Sequence, residues 1–331
     1  MSREKKRVVV TATQEMPVNM NAVAGELWAT AELEVVPLAF GDLSLSARER
    51  CWQSIARADG LLVRTGVIPY ELIGRCSQLK IIALHGAGVD QVDVKAATEG
   101  GIYVTNTPGA NAQSVAELAL GLVISFRRSI SQADCLVRQG RWEKARALGT
   151  ELKGKRLGIV GYGNIGQTLA GIATALGMEV VFWSRSTQTS VVRGARPVPL
   201  EELFGTADIV SLHLALVPDT MGLVGRRLLS LMRKDALLVN TARGALVVQD
   251  DLLQALQEGW IAGAALDVFE QEPLPANSPF LSLPNVLFTP HMGGSTTECL
   301  ARVAGMAARD IRLVLEGREP EYAANSPWRS G

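Results

Sequence analysis

The chain has 331 residues, more than one hydrophobic core usually supports, so two domains are expected. Apolar residues make up 47% and charged residues 20% of it, which suits a folded enzyme and excludes a disordered chain. The 33 basic side chains balance 33 acidic ones, leaving no field to attract nucleic acid or an anionic membrane, so neither is an expected partner.

The opening stretch MSREKKRVVV is charged and then enters an apolar run. It lacks the apolar core of a signal peptide, and a cytoplasmic protein is expected. Cys51, Cys76, Cys135 and Cys299 show no C-x-x-C spacing, which fits a reducing compartment and implies no metal or redox pair. Five β-branched runs come first: RVVVTAT, LEVVPLAF, GLLVR, LKIIALHG and GIYVTNTP. NAQSVAELALGLVISFRRSISQADCLVRQGRW then reads as one or two helices, its apolar stretch Leu118 to Phe126 being too short to cross a bilayer. Six further strand candidates are RLGIVG, EVVFWS, DIVSLHL, ALLVNTA, AGAALDVF and NVLFTPH, interleaved with the helical patterns NIGQTLAGIATALG and VVQDDLLQALQEG. A last helical pattern, Thr296 to Leu315, is expected to return the chain to the first domain. The tail GREPEYAANSPWRSG is polar and expected to be loose, with no regulatory extension after it.

Continuous apolar strands alternating with helices mean parallel sheets covered on both faces, so the class is α/β with two doubly wound domains. The expected division is 1–106 with 293–331 in one domain and 107–292 in the other.

The second domain carries the first chemical signal. In RLGIVGYGNIGQTLAGIATALG, Gly161, Gly163 and Gly166 stand between a strand and a helix, with Asn164 and Ile165 opening the helix. This is the Rossmann fingerprint. The first glycine permits a tight turn, the second lets backbone approach a pyrophosphate, and the third lets helix and strand pack closely. In an NAD site the next strand ends in an acid for the ribose hydroxyls. Here the strand VVFW ends in Ser184, Arg185 and Ser186. A guanidinium beside hydroxyls suits a 2′-phosphate, so NADP(H) is the expected cofactor. If Arg185 is only a solvated loop residue, NAD(H) serves as well.

Of three histidines, His213 and His291 end strands, at the rim where α/β sites lie. Arg243 in VNTARG, Glu272 in LDVFEQEP and His291 in LFTPHMGGST each follow a strand, so all three can converge on one pocket. Singly, each has a plain alternative as an ion pair, a loop carboxylate or a helix-entry residue. No tyrosine has a lysine four residues on, and no Cys/His cluster offers zinc ligands, so short-chain and zinc-dependent dehydrogenase chemistry fit poorly.

VTNTPGANAQSVAELALGL, LKGKRLGIVGYGNIGQTLA, ADIVSLHL, LMRKDALLVNTARGALV, GAALDVFEQEP and NVLFTPHMGGST occur in this order. Together they resemble the D-isomer-specific 2-hydroxyacid dehydrogenases, including glyoxylate/hydroxypyruvate reductases and phosphoglycerate dehydrogenases. The resemblance implies a Rossmann cofactor domain beside a flavodoxin-like substrate domain, a homodimer, and hydride transfer between a nicotinamide cofactor and a small 2-oxo or 2-hydroxy acid. Glyoxylate or hydroxypyruvate is favoured, with 3-phosphoglycerate as the alternative. It further implies that Arg243 binds the substrate carboxylate, that Glu272 pairs with His291, and that His291 exchanges the proton at the substrate oxygen. Asp267 would hold the nicotinamide carboxamide, with Thr241 and His213 also on the cofactor side. The loop LHGAGVDQVD would place Ala87 and Gly88 against the substrate carboxylate, His85 being less certain. Arg64 would match a phosphate-binding arginine only across a one-residue deletion. Ala215 stands where the family has proline after His213, which bears on loop rigidity. A different class also fits the resemblance, a dinucleotide-sensing corepressor in which binding replaces turnover.

Overall fold

A computed structural model describes residues 5–39, 43–185 and 189–327. The chain separates into two compact units, Met1–Asn111 with Ser295–Gly331, and Ala112–Gly294. Both have the expected α/β architecture, and every strand pairing is parallel.

The first unit runs β1 (Lys6–Thr11), α1 (Met20–Leu27), β2 (Ala31–Val36), α2 (Leu45–Ala56), β3 (Gly60–Val63), α3 (Tyr70–Ile73), β4 (Ile81–Leu84), α4 (Val94–Glu99) and β5 (Tyr103–Thr105). Its sheet order is β2-β1-β3-β4-β5. Strand alternation feeds two cores. Val9, Leu61 and Ile82 face α2, α3 and α4, whereas Val8, Val10, Leu62 and Ile81 face α1. Each such side chain contributes about 1.5–3 kcal/mol on leaving water.

The second unit begins with α5 (Ala112–Arg127) and α6 (Ile130–Arg138), so the long helical segment is two helices. It continues β6 (Arg156–Val160), α7 (Asn164–Ala175), β7 (Glu179–Trp183), β8 (Ala195–Pro197), α8 (Leu200–Thr206), β9 (Ile209–Leu212), α9 (Arg226–Leu229), β10 (Leu237–Asn240), α10 (Gln249–Gln257), β11 (Gly263–Leu266) and β12 (Val286–Phe288). The order β12-β11-β10-β9-β6-β7-β8 reverses between β6 and β9, and there lies the switch point where ligands of such sheets bind. β8 is absent from the sequence-based expectation because only Ala195 of its three residues turns inward, next to Arg196 and Pro197 at the sheet edge.

α11 (Thr297–Leu315) returns to the first unit, where Ala304, Ala307, Ala308 and Ile311 complete the α1-side core. The tail after it departs from expectation, since up to Asn325 it is tied to β5. Ala324 N donates to Val104 O at 2.7 Å, and Thr105 bridges Ala323 in antiparallel register. The Asn325 side chain accepts from Val104 N at 2.8 Å and donates to Thr98 and to Ile102 O, both at 2.9 Å. Asp310, 1% exposed, accepts from Glu321 N. These bonds satisfy the free edge of β5, which is why a polar segment is ordered there. Among the described residues, no helix is long and apolar enough to cross a membrane.

Candidate active site

The glycine loop follows the buried strand β6. Gly161 has φ +101°, and a Cβ there would lie 2.7 Å from the His213 carbonyl carbon. Only glycine serves the turn. A Cβ on Gly166 would meet Gly161 O at 2.3 Å, whereas one on Gly163 would meet nothing within 4 Å. The open side of the loop is thus its outer side, where Gly163 and Asn164 are exposed and Ile165 is half-buried. α7 starts here without a side-chain cap, leaving its first N–H groups to an anion. Tyr162 braces the loop from within, stacked on Phe182 with ring centroids 3.7 Å apart and bonded to Ser190 at 2.6 Å. These features fit a dinucleotide.

At the end of β7, Ser184 is half-buried and Arg185 exposed. Arg185 Nη1 lies 3.4 Å from Asp219 Oδ2. Ser186 lies outside the described residues. Across the switch point, His213 Nε2 shares a 2.8 Å bond with Ser211 Oγ, and His213 Nδ1 is buried without a partner. Burial pushes the His213 imidazole down to about 4, so it is neutral at physiological pH and cannot act as a general acid there. Ala215 does not leave its loop loose. Thr220, buried, donates to Ala215 O at 2.8 Å and accepts from Val217 N at 2.9 Å, stapling the turn.

Three neighbouring strands bring Arg243, Glu272 and His291 to one edge of the sheet. His291 Nδ1 and Glu272 Oε2 are 2.6 Å apart, with side chains 51% and 35% exposed. Phe269 N donates to Glu272 Oε1 at 2.9 Å, fixing the carboxylate from behind. Burial works to raise the Glu272 carboxyl, but the His291 hydrogen bond and charge, the Phe269 N–H and the Arg243 charge together hold it below the usual range. Glu272 is therefore a carboxylate. His291 has φ +52°, a conformation uncommon outside glycine. Its turn is anchored by Asp267, 1% exposed, whose carboxylate accepts from Thr289 Oγ1 at 2.6 Å and from the Met292 and Gly293 N–H groups at 2.9 Å each.

Arg243 follows β10 in extended backbone, and its Nη1 donates to Ala242 O at 2.7 Å. The next residue explains its placement. A Cβ on Gly244 would lie 1.9 Å from Phe269 C, so the Arg243 turn rests directly on the backbone leading to Glu272. Gly244, Asn240 and Thr289 carry no distinct signal in the sequence, although Gly244 and Asn240 stand in the same VNTARG block as Arg243. Thr241 Oγ1 is buried with no partner, which leaves a hydroxyl for a ligand on the same edge.

Arg64, Ala87 and Gly88 belong to the first unit. Arg64 is half-buried at the end of β3 with Nε unpaired. Burial lowers its guanidinium. His85, 7% exposed, has neither ring nitrogen paired and is pushed down to about 3 by burial and by the Arg64 charge. Ala87 O accepts from Asn106 Nδ2 at 2.7 Å, holding the loop before Gly88.

A glycine-braced dinucleotide cradle on the edge that carries an arginine and a carboxylate–histidine pair defines a nicotinamide-dependent oxidoreductase. Residues 120–293 match the family model described as D-isomer specific 2-hydroxyacid dehydrogenase, NAD binding domain. A D-3-phosphoglycerate dehydrogenase of Methanocaldococcus jannaschii is 42% identical over 284 residues, covering 85% of this chain and 54% of the relative. The chain thus spans about half the length of that relative. A glyoxylate reductase of Aeropyrum pernix is 42% identical over 270 residues, covering 79% of this chain and 81% of the relative. A crystal structure of a Thermus thermophilus protein superposes with TM-score 0.84 at 37% identity, covering 96% of this chain and 100% of that one. The chain belongs to the D-isomer specific 2-hydroxyacid dehydrogenases, oxidoreductases that act on CH–OH donors with a nicotinamide dinucleotide.

Proposed function

We propose that the protein reduces a small 2-oxo acid, glyoxylate or hydroxypyruvate, to the D-2-hydroxy acid, with NADP(H) preferred to NAD(H). The observation that carries this is the 2.6 Å His291–Glu272 contact beside the Arg243 charge. The unit Ala112–Gly294 holds the dinucleotide through Gly161, Gly163, Asn164, Ile165 and Gly166, with Ser184, Arg185, His213, Thr241 and Asp267 on its other contacts. Ala87, Gly88 and Arg64 are the residues assigned to the substrate. When bound, the nicotinamide supplies or accepts the hydride.

The protein's own part is electrostatic. Arg243 holds the substrate carboxylate and draws charge toward the carbonyl oxygen, a pairing suited to a guanidinium. As negative charge grows on that oxygen, His291 gives it a proton from Nε2 while Nδ1 stays bonded to Glu272. The Glu272 carboxylate holds the His291 ring in place through Nδ1. In the oxidative direction the same imidazole receives it.

Phosphoglycerate oxidation is the second reading. Arg64 favours it, a half-buried cation with no carboxylate partner among the described residues, suited to an anionic substrate group. The exposed apolar side chains Ile130, Val137, Trp142 and Leu148 support a homodimer covering that segment, testable by sedimentation. A cytoplasmic setting agrees with the composition.

Initial rates with NADPH and NADH against glyoxylate, hydroxypyruvate and 3-phosphohydroxypyruvate test the reading. Turnover of the unphosphorylated acids with NADPH is expected. A strong preference for the phosphorylated acid would favour the second reading. Tight dinucleotide binding without turnover of any acid would move the protein to the sensing class.

A further inference from the structure

Asn240, 1% exposed at the end of β10, takes no part in the assignments above. Its Nδ2 donates to Arg243 O at 2.9 Å, and its Oδ1 accepts from Ala242 N at 3.1 Å. One amide thus closes the turn from both sides. Its main-chain oxygen accepts from Asp267 N at 2.9 Å, and Asp267 in turn holds the His291 turn by three side-chain bonds. The turns bearing Arg243 and His291 are therefore tied to adjacent strands by two buried side chains whose backbones are bonded to each other.

We propose that Asn240 is the positioning residue for Arg243: its amide sets the turn that aims the guanidinium, and its carbonyl keeps that turn in register with the anchor of the His291 loop. This rests on the reading of Arg243 as the carboxylate-binding residue. The chemistry of the contact selects asparagine. An aspartate in its place would lack the donor for Arg243 O, glutamine is one methylene too long, and an apolar residue would leave a buried N–H and C=O unpaired. A guanidinium that must meet a substrate carboxylate is sensitive to small shifts of its turn, since a displacement of about 1 Å can cost 10²-fold.

The test uses the full chain loaded with reduced dinucleotide. Calorimetry follows the binding of oxamate, a carboxylate analogue of a 2-oxo acid, to the unsubstituted protein, Asn240→Ala, Asn240→Asp, Arg243→Ala and the double variant Asn240→Ala/Arg243→Ala. Dinucleotide binding is measured separately. Asn240→Ala is expected to weaken oxamate by about 10–100-fold with dinucleotide affinity unchanged, and Asn240→Asp to act in the same direction. The double variant should bind oxamate no worse than Arg243→Ala alone, because both changes remove one function.

Unchanged oxamate binding in Asn240→Ala, with loss in Arg243→Ala, overturns the proposal and spares the reading of Arg243. Unchanged binding in Arg243→Ala overturns both. A parallel loss of dinucleotide affinity, or a full further loss in the double variant, marks a merely structural residue and also overturns the proposal. Should Asn240→Ala fail to fold, the near-isosteric Asn240→Asp carries the same comparison.

Discussion

Which way a proton moves at this site depends on a carboxylate that keeps its charge beside an imidazole. Glu272 is held below the usual range, so it stays ionised wherever the enzyme works, and its stabilising contact is lost only on acidification through that lowered value. His291→Ala should therefore cost about 10²–10⁴-fold in turnover, with dinucleotide affinity retained; equal loss of both in titration and steady-state assays would contradict the assignment. With Glu272→Gln the His291 ring loses its carboxylate partner at Nδ1, and turnover should fall while dinucleotide affinity is retained. Unchanged turnover would remove the pairing from the mechanism. Arg185 poses a separate question, because Asp219 already faces it at 3.4 Å. If Arg185 receives a 2′-phosphate, Asp219 competes with that phosphate. Arg185→Ala should then weaken 2′,5′-ADP by roughly tenfold or more, as expected for a charge-assisted bond, while Asp219→Asn tightens it and neither affects 5′-ADP.

At the scale of elements, the parts legible in the sequence are those whose neighbours are close along the chain or whose burial is complete. Parallel-sheet strands are apolar on both faces, so eleven of the twelve described strands stand out as continuous runs; β8, an edge strand with one inward residue, does not. The glycine loop is legible because strand, turn and helix are contiguous. Arg243, Glu272 and His291 can be grouped because each follows a strand, yet their supports cannot be seen. Asn240 reads as an ordinary strand end, and Gly244 matters only because Phe269, far along the chain, presses on it. Gly244→Ala would force a Cβ to 1.9 Å from the Phe269 carbonyl carbon, so the turn must shift, and substrate affinity should collapse before dinucleotide affinity does. The tail misleads for the same reason, since its partners are more than two hundred residues away. Asn325→Ala, which removes three hydrogen bonds to the β5 region, should cost about 1–3 kcal/mol, read as a lower urea midpoint.

For the molecule as a whole, two neutral histidines make stability depend on pH. Both fall from an ordinary 6.5, His85 to about 3 and His213 to about 4. The unfolded chain takes up protons below 6.5 that the folded chain refuses, so their contribution is complete above 6.5 and declines as pH falls toward 4. The slope is about 1.4 kcal/mol per pH unit for each histidine. Urea unfolding between about pH 7 and 5 measures it, and a flat profile would mean that both rings protonate in the native state. The return of α11 to the first unit also has a consequence for how the chain is made. On the ribosome, β1, β3 and β4 emerge early with α1, but the core of Val8, Val10, Leu62 and Ile81 is completed only when Ala304, Ala307, Ala308 and Ile311 arrive. The segment between, Ala112–Gly294, is continuous and can complete its own core while still tethered. The unit whose synthesis starts first is thus finished last, and one face of its nascent sheet spends most of translation only partly covered, open to chaperones.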